Sequence, residues 1–365
     1  MSLIKVKGRG AENLGRRNII INGAMKVAQR GTSTTSSNGY GVDRFRGNVA
    51  AMDELVQTLA QNSVTDLPGF TKSLKATTTT GESSIASNEL FREMYFIEGQ
   101  DLQQLKYGTS DAETITLSFY VKSTVTGTFA VSIYADSNSR MIGGTYTINS
   151  ANTWEKKTLS FAGDTGSVID NDNTEGLRIN WILAAGSDST SANNTSWGAY
   201  SGTKLGYGHV TNSVITTTNA SWEITGVQLE VGDSASDFEH RSFGEELSLC
   251  HRYYYEISSN THDGYEYPMF AAHAWNSTAI NVCIKLPVVM RTSPTLTFNN
   301  GSGWWRFYRN NGNDPFDTLV ADGSGSHSID MQSSGGISAT QGDAGRLQIR
   351  MGGGANAAIK CSAEL

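Results

Sequence analysis

The chain has 365 residues, a net charge of −7 and only 17% charged residues, against roughly 25% in ordinary globular proteins. Its 39 glycines, abundant Ser, Thr and Asn, and 38% hydrophobic content with 7 Trp, 14 Tyr and 13 Phe point to many short strands around real cores and exclude wholesale disorder. The acidic balance excludes a chain-wide nucleic-acid footprint, and no apolar run reaches the ~20 residues that span a bilayer, so neither nucleic acid nor membrane insertion is expected.

Residues 1–17 carry Lys5, Lys7, Arg9, Arg16 and Arg17 against Glu12 alone. A basic terminus on an acidic body is expected to serve as a docking segment. It has no apolar core of the kind a secretory signal needs. From Asn18 the chain reads NIIINGAMKVAQRGTS, with a turn signal at Asn22-Gly23, and then YGVDRF from Tyr40 to Phe45, where Asp43 and Arg44 suggest a local structural pair. Residues 73–89 are rich in Ser and Thr and are expected to be exposed. Residues 90–106 join an apolar stretch to a short helical pattern from Gly99 to Lys106.

Clean alternations follow. Ile115, Leu117, Phe119 and Val121 share one face, as do Phe129, Val131 and Ile133, and then Leu177, Ile179, Trp181 and Leu183. In WEITGVQLEV, Trp222 and Ile224 precede Gly226, which predicts a bulge, and Val227, Leu229 and Val231 continue the face. Period-two alternation predicts strands with one buried and one wet face, the pattern of an antiparallel sandwich or jelly roll. The expected architecture is all-β: a jelly roll over 18–241, a linker helix over 242–256 and a smaller antiparallel β domain over 257–365. Ser242 and Glu245 have the spacing of a capping box, and Phe243, Leu247, Cys250 and Tyr254 follow helical spacing. No repeat of 20–50 residues suggests a solenoid or a β-helix.

No catalytic residue, cofactor or metal site is predicted. The six histidines have no HxxxH spacing, and Cys250, Cys283 and Cys361 have no CxxC spacing. Three buried thiols are the expectation. Asp170, Asp172 and Glu175 alternate with Asn in VIDNDNTEG, an arrangement that suits Ca²⁺, although an Asx-rich turn is the simpler reading. Aromatics in polar loops are the better lead. Trp197, Tyr200 and Tyr207 lie in NNTSWGAYSGTKLGYGH, and Trp304, Trp305 and Tyr308 lie beside several Asn, so both groups are candidate ligand or partner contacts. One of the adjacent tryptophans must leave the core face of its sheet and is expected to need a cover.

NIIINGAMKVAQRGTS with YGVDRF, IEGQDLQQLKYGTSDAETITLSFYVKSTVTGTF, TWEKKTLSF and ITGVQLEVGDSASDFEHRSFGEELSLCHRYYY together resemble a module of bacteriophage tail-fibre and virion-appendage proteins. PVVMRTSPTLTF resembles the strand that opens the domain after it, and the resemblance runs in order over roughly 18–300. One departure is His251, where the family tends to have Gln. The resemblance implies a carbohydrate-binding-like jelly roll, a distal β domain and homotrimeric assembly in the virion, with no catalytic residues. The expected function is a virion structural protein, a tail-fibre or appendage subunit docked to other virion proteins through its N-terminus and contacting a host-surface glycan or protein. A capsid decoration or head-fibre protein is the alternative, and a glycan depolymerase a more distant one.

Overall fold

The computed structural model describes residues 16–35, 38–258, 268–310, 312–333, 335–350 and 357–365. The chain forms two compact units, the first running to Glu246 and the second from Leu247 to Glu364.

The first unit contains, in chain order, β1 (Ser33–Thr34), β2 (Tyr40–Val42), β3 (Phe45–Ala50), β4 (Val56–Ser63), β5 (Lys72–Thr80), β6 (Leu90–Glu98), β7 (Ile115–Ser123), β8 (Gly127–Ala135), β9 (Arg140–Ile148), β10 (Glu155–Phe161), β11 (Glu175–Ala185), β12 (Gly198–Ala199) and β13 (Ser221–Val231). They form two antiparallel sheets, ordered β1-β4-β5-β13-β7-β10 and β12-β9-β8-β11-β6-β3-β2. After β4 and β5 the chain crosses repeatedly between the sheets, staying in one sheet only for the β8–β9 hairpin and for β11–β12, which is the jelly-roll type of winding. The alternating residues of β7, β8, β11 and β13 meet in one core, where Phe119, Phe129, Trp181 and Trp222 are fully buried.

The predicted bulge lies at Gly226, whose φ of 61° is open to glycine at little cost, and the register of β13 against β7 shifts between Thr225 and Gln228. It also changes the neighbours of β13. Residues 221–224 pair with β5, whereas beyond the bulge Ile19 N–H donates to Leu229 O, and Val227 N–H to Gly23 O. The opening segment of the resemblance therefore completes the sheet. Asn18 Oδ1 accepts from the backbone N–H of Ile20 and Leu229, and its amide donates to Val227 O. Asn22 is fully buried and ties Val27 and Asp43 together. A Cβ on Gly23 would lie 2.1 Å from Val227 O, so only glycine fits there.

Several expectations are corrected. The segment 73–89 is not simply exposed: residues 72–80 form β5, with Ser73, Leu74, Ala76 and Thr78 buried, because β-branched Thr suits a strand covered on both sides. The outer faces are drier than alternation implies. On β13 every residue from Ser221 to Glu230 is buried, because the segment after it folds back and satisfies Gln228 and Glu230 through Ser236, Asp237 and Glu239. Asp43 and Arg44 both have structural partners. Asp43 holds the Gln29 backbone and side chain, while Arg44 donates to Phe96 O and lies over the Tyr95 ring.

The predicted helix is shorter than 242–256. It covers Phe243–His251, with Glu245 N–H donating to Ser242 Oγ as the capping spacing requires. Tyr254 already belongs to the next strand, and the two units divide within the helix. The second unit contains β14 (Tyr254–Ser258), β15 (Pro268–Ala274), β16 (Ile280–Lys285), β17 (Thr295–Asn299), β18 (Trp305–Arg309), β19 (Gly312–Phe316), β20 (Leu319–Ser324), β21 (Ser328–Ser333), β22 (Ala344–Ile349) and β23 (Ala358–Ser362). Its sheets are ordered β14-β23-β17 and β19-β18-β22-β15-β16-β21-β20, around a core that includes Trp305, Phe307, Met331 and Leu347.

Candidate functional site: a cleft between two sheet edges

Strand β10 is the edge of its sheet, and β9 is covered on its outer side only by the two-residue β12. A cavity of about 580 Å³ lies between them. Its floor includes Ile142, Leu159 and Phe161, all buried in the core. Gly143 and Gly144 keep the wall low: a Cβ on Gly144 would come within 3.1 Å of Leu159, and one on Gly143 would strike Asn194. Hydroxyls from Thr145, Thr158, Ser160, Thr195 and Ser196 line the sides.

Trp197 stands in the wall, half-buried. Its indole N–H donates to Ala162 O at 2.6 Å, and its ring meets Tyr107 edge-on at 5.7 Å. Burial, with Asp164 nearby, pushes the Tyr107 phenol well above its ordinary range. At one end Arg140 is held by Asp164 through Nε (2.6 Å) and Nη2 (3.0 Å), and the Asp164 carboxylate also accepts from Gly166 N–H. Arg140 also lines a second cavity of about 480 Å³ with Asn138, Ser167, Val168 and Ala199. Tyr200, 42% exposed, lies just beyond β12 and packs edge-on against Tyr134 at 5.0 Å. An aromatic wall, a hydroxyl rim and an oriented guanidinium are the groups that contact sugar rings and their polar substituents.

The other predicted contacts fall elsewhere. Tyr207 is half-buried and lines neither cavity. Trp304, Trp305 and Tyr308 belong to the second unit. Trp305 is not a surface contact: it is fully buried and donates from Nε1 to Asn300 Oδ1 at 2.8 Å. Trp304 does not turn away: it precedes β18, is partly buried against the same core as Trp305, and lies against Gly301, whose missing side chain makes room for the indole. Tyr308 has two guanidinium groups over its ring, those of Arg306 (5.8 Å) and Arg346 (5.1 Å).

Of the basic docking residues, Lys5, Lys7 and Arg9 lie outside the described residues. Arg16 is 4.0 Å from Glu245, and Arg17 donates to Asp237 O. Asp170, Asp172 and Glu175 do not converge. Asp172 accepts from Thr174 in an Asx turn, and Glu175 pairs with Arg178. The carboxylates that do meet are Asp53, Glu82 and Glu89, with ligand atoms within 4.8 Å of one another, although Glu82 and Glu89 already accept backbone N–H groups. They come from two loops, Asp53 between β3 and β4 and Glu82 with Glu89 between β5 and β6, so no local spacing announces all three. Cys250 and Cys361 are buried as expected, but Cys283 is exposed, because its position on β16 falls on the outer face.

Two exposed or half-exposed tryptophans escaped the sequence reading. Trp154 donates to Asp66 Oδ1 at 2.9 Å and lies under Lys122 at 4.7 Å. Trp275, 56% exposed, caps the β15–β16 turn, where Asn276 Oδ1 accepts from Thr278 and Ala279. Its setting, AWNST, meets the criterion that selected Trp197.

No protein-family model matches the sequence, and no curated protein matches it. Among solved structures the chain is similar to the enzymatically active domain of tailspike protein 4 of bacteriophage CBA120, with 13% identity and a TM-score of 0.32, covering 59% of this chain and 21% of that one. The chain thus spans about a fifth of that tailspike chain. It is also similar to the family 11 carbohydrate-binding module of Clostridium thermocellum (11% identity, TM-score 0.28, 57% and 99% covered). A third similar structure is the tripod from the baseplate of bacteriophage Tuc2009 (8% identity, TM-score 0.25, 92% and 90% covered).

Proposed function

We propose that the chain is a bacteriophage virion structural protein, a tail-fibre or appendage subunit, whose first unit holds a host-surface glycan in the cleft beside Trp197. The observation that carries the glycan reading is the cleft itself. It is an open slot of about 580 Å³ between two sheet edges, with an indole wall and a hydroxyl rim. Sugar rings offer flat C–H faces to such a wall and hydroxyls to such a rim. The virion assignment rests on the ordered resemblance over residues 18–300, whose Asn18, Asn22 and Gly23 serve the fold directly. The chain acts as a homotrimer that docks through residues 1–17, and three weak sites on one stalk raise avidity.

The proposed role is binding without catalysis. Glycoside cleavage uses a pair of carboxyl groups across the scissile bond. The carboxylate that lines this cleft, Asp164, is committed to Arg140 and Gly166. The test is adsorption of the purified protein to host cells and its competition by host-surface polysaccharide. Trp197→Ala is expected to lower adsorption by about tenfold, the size of one lost aromatic contact of ~1.4 kcal/mol. Undiminished adsorption overturns the cleft reading, and release of new reducing ends from the polysaccharide overturns the non-enzymatic one.

A further inference from the structure

We propose that Arg140 is the specificity-determining residue of this cleft and that the ligand is an acidic glycan, its carboxylate or phosphate seated on the open edge of the Arg140 guanidinium. This inference rests on the glycan reading above and names the ligand class.

A guanidinium has two edges that can each bind an oxyanion through paired N–H donors. Asp164 occupies the edge formed by Nε and Nη2. Nη1 has no protein acceptor among the described residues, and the Arg140 side chain is 25% exposed. Asp164 is only 1% exposed and is fixed by Gly166 N–H. The pair is therefore a dipole with its negative end sunk in the protein and its positive end at the surface. Such an arginine is pre-oriented, so a ligand does not have to order a long side chain on binding.

The neighbouring cation Lys204 is committed to Ala199 O at 2.8 Å and lines neither cavity. Arg140 lines both cavities and stands where they meet. Apart from the Arg140–Asp164 pair, no charged residue lines either cavity. The rest of the rim is hydroxyl, amide, glycine and apolar. Neutral sugar units can therefore lie along Trp197 while one anionic substituent sits at the junction. Strand geometry fixes the placement, since Arg140 opens β9, pairs with Ala135 on β8 and is faced by Ala199 of β12. Ala199 and Arg140 both line the second cavity.

The experiment is calorimetric titration of the full chain with three oligosaccharide probes of matched length. One contains glucuronate, one is a glycerol-phosphate oligomer, and one is a neutral cello-oligosaccharide. An acidic probe is expected to bind about tenfold more tightly than the neutral one. Preference between the two acidic probes identifies the anion as carboxylate or phosphate. Arg140→Gln is expected to remove the preference, and Arg140→Lys to recover little of it, because lysine is a point donor without the paired edge. The comparison of probes on the unaltered chain stands even if a variant folds poorly. Equal affinity for the acidic and neutral probes overturns the proposal, as does a preference that survives Arg140→Gln. Equal affinities that are all lost in Trp197→Ala would keep the cleft as a glycan site while overturning its acidic ligand. Failure of all three probes overturns the acidic ligand, and the adsorption assay with Trp197→Ala then decides the glycan reading separately.

Discussion

Two buried titratable side chains set opposite limits on the pH range of the first unit. Glu93 is fully buried, stands between Gly47 and Trp181 in the register of its sheet, and has both carboxylate oxygens without a hydrogen-bond partner. Burial raises its pKa well above the ordinary 4.5, so the folded unit holds a proton that the unfolded chain releases. Stability is then full below about pH 4.5 and falls as pH rises towards the folded value. Thermal melts at pH 5 and pH 8 should show this loss, and Glu93→Leu should abolish the slope and raise the midpoint at pH 8. A slope unchanged in that variant would refute the assignment. His209 acts the other way. Burial lowers its pKa to about 4 from 6.5, so stability present above pH 6.5 is lost as pH falls towards 4. The full effect is ~3 kcal/mol. His209→Phe should flatten the acid limb, since an apolar ring carries no proton to place beside Phe129.

Strands were the legible scale. Alternation located β7, β8, β11 and β13, Gly226 announced the bulge, and the Ser242–Glu245 spacing gave the start of the helix. Where the helix ends was not legible, because Tyr254 continues the helical spacing yet pairs with Ser362 across β23, a partner more than a hundred residues away. Trp305 was misjudged for a related reason: alternation across the pair holds only if both tryptophans are in the strand, and β18 begins at Trp305, so both rings reach the same core. Of the cleft, Trp197 was legible as an aromatic in a polar loop. Arg140 was not, because its role comes from Asp164, a residue 24 positions away that only the fold brings into contact. The strap along β13 can be tested at this scale. Asn18→Ala leaves the backbone groups of Ile20, Leu229 and Val227 without their partner, at about 2 kcal/mol. Calorimetry should show a lower transition for the first unit, and an unchanged one would show that water replaces the amide. Trp305→Ala should cost the second unit about 4 kcal/mol through the cavity it leaves.

At the scale of the whole molecule, the net charge of −7 is unevenly spread, with five basic residues and one acidic residue in the first 17. Such a segment can find an acidic partner by long-range attraction before it docks, and the rate should fall with salt. Deleting residues 1–17 should abolish incorporation into particles while leaving the melting of the body intact. Undiminished incorporation would remove the docking role. Light scattering should give a mass near three times 39.3 kDa for the intact chain. A monomer would move the avidity from the stalk to the particle lattice and favour a decoration protein.

The thiols supply a means of counting. Cys250 and Cys361 are buried, and burial pushes Cys361 up to about 12, so neither offers a maleimide the accessible thiolate it reacts with. Cys283 is exposed on β16 of the second unit and lines neither cavity of the first. One dye per chain can therefore be attached at a residue that lines neither cavity. Stepwise photobleaching of single labelled particles then reads the number of copies directly: a few dozen or fewer for a fibre, many more for a coat on the head.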